Sequence, residues 1–470
     1  MRRGARGGLL RGHAATVLVA ALAAAFGVGL LAATEVLLLA SASGPFELPQ
    51  TARVVLEVVA LVFTGIAIYV AAIVTTNTVS TIVVGRVREI ALVRLLGGTA
   101  AGQRRRIAVE GLAAGALGAA IGVVGACLLV EALVLLGVAT GTLPARDYPF
   151  LVPTMVVPVV AVLLSTWLAA WVGSRRVLAV APIQALGAAV PDDPAALGRR
   201  PARTVAAAVL GVLGVLLLLL GVVVGRSSPF GLLVALPGGV LSFTGLMLGS
   251  ARVIPPLLAL VGRLLGRDPA AVLGTRNALR HPERSARAAI ALVIGVALVT
   301  MFVVAGMTAR EIALRAAAAS LGERGAAMID AALAPMMSII AFLVGYSAVI
   351  AAVGLVSTLT VGVLQRTREF GLVRALGLSR AQLRRTISVE AVQLAATSVL
   401  LGVALGIGYG WIGAQSLLGA QQSTGLVVPV VPWWLLVALV AVVAVLSLAG
   451  SLVPARRAVR IPPVEAIAVE

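Results

Sequence analysis

Lysine is absent from this chain of 470 residues, and cysteine, histidine, aromatic residues and charged residues are all scarce. Without lysine the chain cannot supply the P-loop lysine that contacts ATP phosphates, or a Schiff-base lysine. A single cysteine excludes an intrachain disulfide, and with only two histidines a transition-metal site is not expected. Because only 12% of the residues are charged, the chain cannot cover a water-facing surface, which excludes a soluble enzyme.

Apolar residues make up 60% of the chain, and the mean hydropathy is +1.10. They form long runs, and about 20 apolar residues in a helix cross the ~30 Å of bilayer hydrocarbon. The first run is too long for the core of a cleaved signal peptide, so we interpret it as a retained span. The sequence predicts an all-α integral membrane protein with ten transmembrane helices, over residues 14–40, 52–84, 107–137, 150–173, 203–225, 229–250, 287–308, 334–364, 387–418 and 430–453.

The arginines are distributed unevenly between the two sides of these spans. With a cytoplasmic N-terminus, 31 arginines fall on the cytoplasmic side, and the outer side holds Arg53, Arg146, Arg226, Arg310, Arg315 and Arg324. This asymmetry predicts a plasma-membrane protein with both termini in the cytoplasm. The net charge of +19 then marks sidedness and affinity for anionic lipid. Nucleic-acid binding is not expected, because no aromatic residues are interleaved with a basic patch.

Two segments of the chain are related by an internal repeat. Residues 86–110 and 366–390 align without a gap and are identical at 14 of 25 positions. A second match links 175–185 to 456–466, after the fourth and tenth runs. The repeat predicts a 4+2+4 arrangement in which both copies enter the membrane from the same side. The predicted parts are a first half (1–190), a two-span connector (191–268) and a second half (269–470).

Each repeated segment forms a loop between two spans and has the pattern of a short amphipathic helix. Gly97 and Gly377 are suited to ending this helix, and Thr99 and Ser379 to starting the next one, with Ser379 and Gln382 forming a capping box. Taken alone, such a helix could simply lie on lipid headgroups. Because the helix is duplicated, we favour the hypothesis that it docks a cytoplasmic partner. The residues predicted to couple the chain to this partner are Arg86, Arg88, Glu89, Ile90, Val93, Arg94 and Gly97 in the first copy and Arg366, Arg368, Glu369, Phe370, Val373, Arg374 and Gly377 in the second.

The remaining charged residues near the spans form two further groups. No span has a charge near its midpoint, which disfavours an ion-coupled antiporter. We expect ion pairs that brace the loops against the spans, between Glu110 and Arg104 or Arg105, and between Glu390 and Arg384 or Arg385. Toward the outer leaflet, the sequence predicts a polar cluster of Glu35, Arg53, Glu57 and Glu131.

The two loops, with their R-E-[IF]-x-L-x-R-x-L-G pattern, resemble the FtsX/MacB-like permease family of ABC transporters. The tails after the fourth and tenth runs and the segment 274–287 are similar to that family as well, with cores at about 57–187 and 337–468. The resemblance implies a non-catalytic membrane subunit whose two loops are coupling helices. ATP and Mg²⁺ would be bound by a partner ATPase, expected to be a homodimer. No cofactor is expected in this chain, and membrane lipid is its other expected partner.

The function implied by the resemblance is export or lateral extrusion of a hydrophobic or amphipathic substrate such as a lipid, a lipopeptide or a peptide antibiotic. The alternative is a mechanotransmitter that passes ATPase action to an extracellular hydrolase or sensor kinase. A third hypothesis is a membrane scaffold that works without an ATPase. The outer loops are short, with the longest at about 309–333, where a small helical hairpin would fit. We therefore expect neither a large periplasmic adaptor nor an outer-membrane duct as a partner.

Overall fold

The computed structural model describes residues 2–41, 50–85, 87–141, 144–145, 148, 153–179, 201–264, 269–280, 282–364, 379–421, 425–441 and 444. All regular secondary structure in these ranges is helical. The prediction of an all-α chain is therefore confirmed for this part of the sequence. The chain divides into two compact units, Met1–Pro191 and Asp192–Glu470.

The first unit contains the first loop and the helices that surround it. Its helices are α1 (Arg2–Ser41), α2 (Gln50–Gly85), α3 (Val87–Leu95), α4 (Ala100–Ala139) and α5 (Val156–Gly173), with short 3₁₀ turns at Pro153–Met155 and Ser174–Ala179. Helix α1 packs along α4, and both α2 and α4 pack against α5. A helix of 40 residues is about 60 Å long, so α1 and α4 are each about twice as long as the hydrocarbon layer is thick.

The second unit contains the connector together with the second half. Its helices are α6 (Pro201–Gly225), α7 (Gly231–Leu264), α8 (Pro269–Arg280), α9 (Pro282–Leu364), α10 (Arg380–Leu418) and α11 (433–441), with a 3₁₀ turn at Gly419–Gln421. Helices α6 and α7 pack against each other and against α10. The two-span connector is thus part of the same compact unit as the second half.

Eight helical segments in the described residues are long and apolar enough to cross a membrane. They are Thr16–Val36, Glu57–Asn77, Ala100–Ala139, Val156–Gly173, Pro201–Gly225, Gly231–Leu264, Leu292–Asp330 and Ser388–Leu418. They coincide with eight of the ten predicted runs. Backbone helix also covers the run 334–364 and residues 433–441 of the last run. The count of ten spans and the 4+2+4 arrangement stay predictions.

Glycines on α4 allow two neighbouring helices to approach closely. A Cβ on Gly111 or Gly115 would collide with α5, and one on Gly118 or Gly122 would collide with the backbone of α1. Close approach through small residues is a common way for membrane helices to pack. These four glycines therefore let α4 pack closely on α5 and α1, whereas Gly125 faces open space.

The same kind of contact occurs in the second unit, between α10 and the first part of α9. Cβ atoms on Gly402, Gly406 and Gly410 would overlap atoms of α9 residues 296–305. When the offset of 280 residues is continued beyond the aligned segments, Gly402 corresponds to Gly122. In each unit, therefore, the helix that follows a repeated loop packs through glycine against a long helix of the same unit.

Helix α9 folds back on itself at Gly322, whose φ of 71° and ψ of −172° break the helical run. Across this break, Arg310 donates two hydrogen bonds to Asp330, from Nε at 2.8 Å and from Nη2 at 2.7 Å. Twenty residues of straight helix would span about 30 Å, so this ion pair shows that the two arms lie side by side. The expected helical hairpin at residues 309–333, which we call the α9 hairpin, is therefore confirmed. Its two arms continue the longer helical segments on either side.

We predict that Gly122→Ala lowers the thermal stability of the chain in detergent, because its methyl group would overlap the carbonyl oxygen of Ala21. Overpacking of this kind typically costs about 1–3 kcal/mol. The matched control is Gly125→Ala, which meets nothing within 4 Å and gains helix propensity. Equal melting temperatures for the two variants would contradict the glycine contact between α1 and α4.

Candidate functional site

The first repeated loop places α3 against the ends of its neighbouring helices. Ile90 and Ala91 are buried in a cluster with residues of α2, α5 and the following 3₁₀ turn, namely Val79, Val83, Ala170 and Val177. Ile107 of α4 packs against the same cluster. The inner side of α3 is therefore anchored to three helices of the first unit by apolar burial, the main driving force for such packing.

The opposite side of α3 is exposed. Glu89 and Leu95 lie on the surface, Leu92 is 48% exposed, and Leu96 is 88% exposed. Val93 and Arg94 are half-buried. The loop sequence predicts Ile90, Val93 and Leu96 on one helical face, but Leu96 is six residues from Ile90 and therefore lies about 120° away around the helix, where it is exposed. The exposed side of α3, which we call the candidate docking face, is thus short, acidic and leucine-rich and consists of Glu89, Leu92, Leu95 and Leu96. Docking of a partner there stays a prediction.

Gly97 ends α3 as its sequence position predicts. Its φ of 93° lies in the left-handed region that favours glycine. The N–H of Gly98 donates to the carbonyl of Val93 at 2.9 Å, and the N–H of Gly97 donates to that of Arg94 at 3.2 Å. This pair of hydrogen bonds defines a Schellman motif. The turn between α3 and α4 therefore has a fixed geometry rather than that of a loose linker.

The helices that follow the two loops begin with the predicted caps. Thr99 accepts a hydrogen bond from the N–H of Gly102 at 3.1 Å, which caps α4. Ser379 and Gln382 form a reciprocal capping box at the start of α10, with hydrogen bonds of 3.0 and 3.2 Å. Such caps satisfy amide groups that the first helical turn leaves without partners.

Two arginines near the start of α4 connect it to its surroundings. Arg106, which the sequence patterns did not single out, forms an ion pair with Glu110 at 3.0 Å. Arg104 extends to α5, where its guanidinium stacks over Trp171 at 4.3 Å and donates to the Trp171 carbonyl at 3.2 Å. Arg104 therefore links α4 to α5 through a cation–π pair, whereas its expected partner was Glu110. Arg105 is exposed.

Several residues of the two loops that were predicted to dock the partner or brace the loops lie outside the described part of the chain. These are Arg86, the side chains of Arg88 and Arg384, and the whole of Arg366, Arg368, Glu369, Phe370, Val373, Arg374 and Gly377. The side chain of Arg385 is described and is exposed. Their roles in docking and bracing stay predictions.

The residues after the second loop are much more buried than their repeat counterparts. Glu390 is 4% exposed, and Gln393 is completely buried and donates to the Leu258 carbonyl of α7 at 2.6 Å. Farther along α10, Tyr409 and Ser242 of α7 are hydrogen-bonded at 2.9 Å. When the repeat offset of 280 residues is continued along α4, the positions matching Gln393 and Tyr409 are Ala113 and Leu129, both exposed. The sequence analysis did not predict these contacts. The signal that could have indicated them is that Gln393 and Tyr409 are polar, whereas the matching positions of α4 are apolar.

The four charged residues predicted near the outer leaflet are not joined by any contact that the described atoms show. Glu35 on α1 is half-buried, while Glu57 on α2 and Glu131 on α4 are exposed. The side chain of Arg53 lies outside the described residues. A polar cluster at this position stays a prediction.

Comparison with known proteins finds one family in two places. The model of the FtsX-like permease C-terminal domain matches residues 61–182 and 339–463, which together cover just over half of the chain. The two matched regions enclose the two repeated loops. The matches are close to the predicted cores at about 57–187 and 337–468.

Several known proteins match part of this sequence, among them the following three. The uncharacterized ABC transporter permease YknZ of Bacillus subtilis is 29% identical over 148 residues, or 32% of this chain and 35% of the relative. The probable syringafactin export ATP-binding/permease protein SyfD of Pseudomonas syringae is 34% identical over 140 residues, 28% and 18% of the two chains. The macrolide export ATP-binding/permease protein MacB of Bordetella avium is 28% identical over 145 residues, 30% and 21% of the two chains. The match thus spans about a third or less of each relative.

We predict that Gly97→Ala speeds amide hydrogen exchange at Gly98, because a Cβ is disfavoured at this positive φ by roughly 1–2 kcal/mol. That cost corresponds to about 5- to 30-fold faster exchange where local opening controls the rate. Gly97→Asn should show a smaller increase, since asparagine tolerates left-handed conformations better. Unchanged exchange in the alanine variant would contradict the Schellman stop.

Proposed function

Because the chain belongs to the FtsX-like permease family and is a multi-pass membrane protein, we propose that it is the permease subunit of an ABC transporter driven by a separate ATPase. The observation that carries the proposal is the geometry of α3. Its inner face is anchored on α2, α4 and α5, and its outer face presents Glu89, Leu92 and Leu96. A helix that receives force from a partner needs both an exposed surface and a firm attachment.

The attachment of α3 leads directly into a long helix. Only four residues separate Leu95 from Ala100, and the Schellman turn and the Thr99 cap fix their conformation. Helix α4 then runs for about 60 Å and contacts α1 through Gly118 and Gly122. A tilt imposed on α3 would therefore move α4 as a rod whose closest neighbour is α1.

The second repeated loop supports a partner with twofold symmetry. Its sequence preserves the charges and the helix-stopping glycine of the first loop, at 14 of 25 identical positions. Two like loops in one chain match two like grooves, which a homodimeric ATPase offers. On this proposal both loops and both termini are cytoplasmic, as the distribution of arginines predicts.

An amphipathic or hydrophobic substrate is the class that the described surface supports. Helix α4 exposes a continuous set of large apolar side chains, including Leu128, Leu129, Leu133 and Leu136. Two of the relatives are named for export, of syringafactin in one case and of macrolides in the other. Export of such a molecule, from the membrane or along its surface, is the proposed direction.

We predict that Leu96→Glu reduces permease-stimulated ATP hydrolysis about tenfold, since it places a charge on the most exposed apolar residue of the candidate docking face. Leu376→Glu at the matching position of the second loop should act similarly, and the double variant should abolish the stimulation. Leu264→Glu, at a 79% exposed leucine on the end of α7, is the control and should retain it. Full stimulation in the double variant would refute the assignment of the loops.

The α9 hairpin favours mechanotransmission as a second candidate function. Thr308 accepts a hydrogen bond from the N–H of Val430 at 3.1 Å, three residues before the exposed Trp433, which has the character of an interfacial anchor. From Thr308 to Gly322 the arm extends about 20 Å. A cavity of about 400 Å³ opens between the arms beside Asp330. This rigid hairpin offers an outer partner a surface to grip, which short flexible loops would not.

For this second function, Arg310→Gln should uncouple the outer response from ATP hydrolysis, because it removes the ion pair that joins the two arms. The ATPase rate should stay within about twofold of wild type while output from the outer partner falls. Arg324→Gln is the control, since Arg324 is an exposed arginine near the break of the same hairpin and is not among the residues that line the cavity. Equal output from the two variants would count against a mechanical role for the hairpin.

A further inference from the structure

Helix α8 carries a mixed basic and apolar surface that the proposed transport function does not use. Val272, Leu273, Arg276 and Arg280 are all exposed. At about 100° per residue, these four side chains fall within roughly a third of the helix circumference. Helix α8 itself contains no acidic residue.

The other side of α8 is buried against the second unit. Ala278 is completely buried and its carbonyl accepts a hydrogen bond from Ser285 at 2.6 Å. A Cβ on Gly274 would lie 3.0 Å from the Thr386 carbonyl oxygen and 3.3 Å from Val389 of α10. Thr275 meets Gly262 of α7 closely. Helix α8 is therefore held in place, and its exposed stripe has a defined direction.

These contacts also set the depth of α8 in the membrane. Gly274 packs beside Thr386 and Val389, and the apolar span of α10 begins between them at Ser388. Helix α8 thus lies at the level where the span enters the hydrocarbon, which is the headgroup region. The arginine distribution assigns this side to the cytoplasm, where the leaflet is anionic.

From this placement we propose that α8 binds anionic phospholipid headgroups of the cytoplasmic leaflet through Arg276 and Arg280. Leu273 and Val272 insert beside the glycerol and upper acyl region, as apolar residues of interfacial helices do. Because α8 packs on α10 within two turns of the Ser379 cap, the bound lipid steadies the start of the helix that follows the second loop. The lipid site is independent of whether the chain moves a substrate.

The test uses the full-length chain in detergent micelles with labelled phosphatidylglycerol as the probe. Each arginine near an anionic leaflet contributes about fivefold to affinity, so Arg276→Gln with Arg280→Gln should weaken binding about 30-fold. Arg324→Gln, an exposed arginine near the break of the α9 hairpin, should bind like wild type. Equal binding by the double variant and wild type would overturn the proposal.

Two further arms separate the lipid from other sources of negative charge. Inorganic phosphate should not displace the labelled lipid, and full displacement would mean a free-anion site. The double variant should still associate with the ATPase in neutral-lipid nanodiscs. If it instead lost the ATPase and still bound the labelled lipid, Arg276 and Arg280 would be contacts for the ATPase and the lipid proposal would be overturned.

The final arm measures how deeply α8 lies in the membrane, in a variant that keeps both Arg276 and Arg280. A spin label at Leu273→Cys, in a background with Cys127→Ala, should be more accessible to oxygen than to a polar nickel complex. The reverse order would place α8 in water and overturn the proposal, even if the arginine variants failed to fold.

Discussion

Close contact between a post-loop helix and a long neighbouring helix is the constraint on which the rest of this structure depends. In the first unit, α4 approaches α1 at Gly118 and Gly122, where a methyl group would already overlap the backbone of α1. In the second unit, Gly402, Gly406 and Gly410 bring α10 equally close to α9. Small residues permit this approach in a bilayer, where lipid offers apolar side chains the same environment as protein does.

The fixed geometry of the first loop can affect other helices only because α4 makes that close contact. The Schellman turn at Gly97 and the cap at Thr99 make α3 and α4 one bent element, and the glycine contacts carry its position to α1. Arg104 stacked on Trp171 ties the same end of α4 to α5. Movement of α3 would therefore be shared among several helices rather than absorbed in a flexible linker.

The two copies of the repeat differ in what covers the post-loop helix. In the second unit, α7 lies against α10 and is joined to it by Gln393 and Tyr409. At the matching positions α4 has exposed Ala113 and Leu129, which suit contact with acyl chains. A duplicated sequence has thus produced two halves with different surroundings, and the connector helices account for the difference.

Local sequence patterns predicted the local structure of the loops well. The stop at Gly97, the cap at Thr99 and the capping box of Ser379 depend on neighbouring residues alone, so a short window contains the needed information. Contacts between distant residues were harder to predict. Arg104 was expected to pair with Glu110, but its actual partner Trp171 is 67 residues away, and an i to i+4 pair with Arg106 engages Glu110.

Larger features depended on packing that no single segment encodes. Leu96 fits the apolar spacing of α3, yet it lies about 120° around the helix from the buried Ile90 and is exposed. The α9 hairpin was expected only as a small outer element, because the 309–333 sequence does not show that its helices continue those of the flanking spans. The docking of α6 and α7 on α10 likewise depends on residues such as Ser242 and Gln393, whose partners are remote in sequence.

Hydrogen exchange of the permease with and without its ATPase tests the central claim, that the two repeated loops receive the partner. The account predicts slower exchange on complex formation in residues 87–98 and in the matching residues 367–378. Residues 309–333, which the distribution of arginines predicts to lie on the outer side of the membrane, should be unaffected by binding alone. Unchanged exchange in both loops, with protection appearing elsewhere on the chain, would contradict the account.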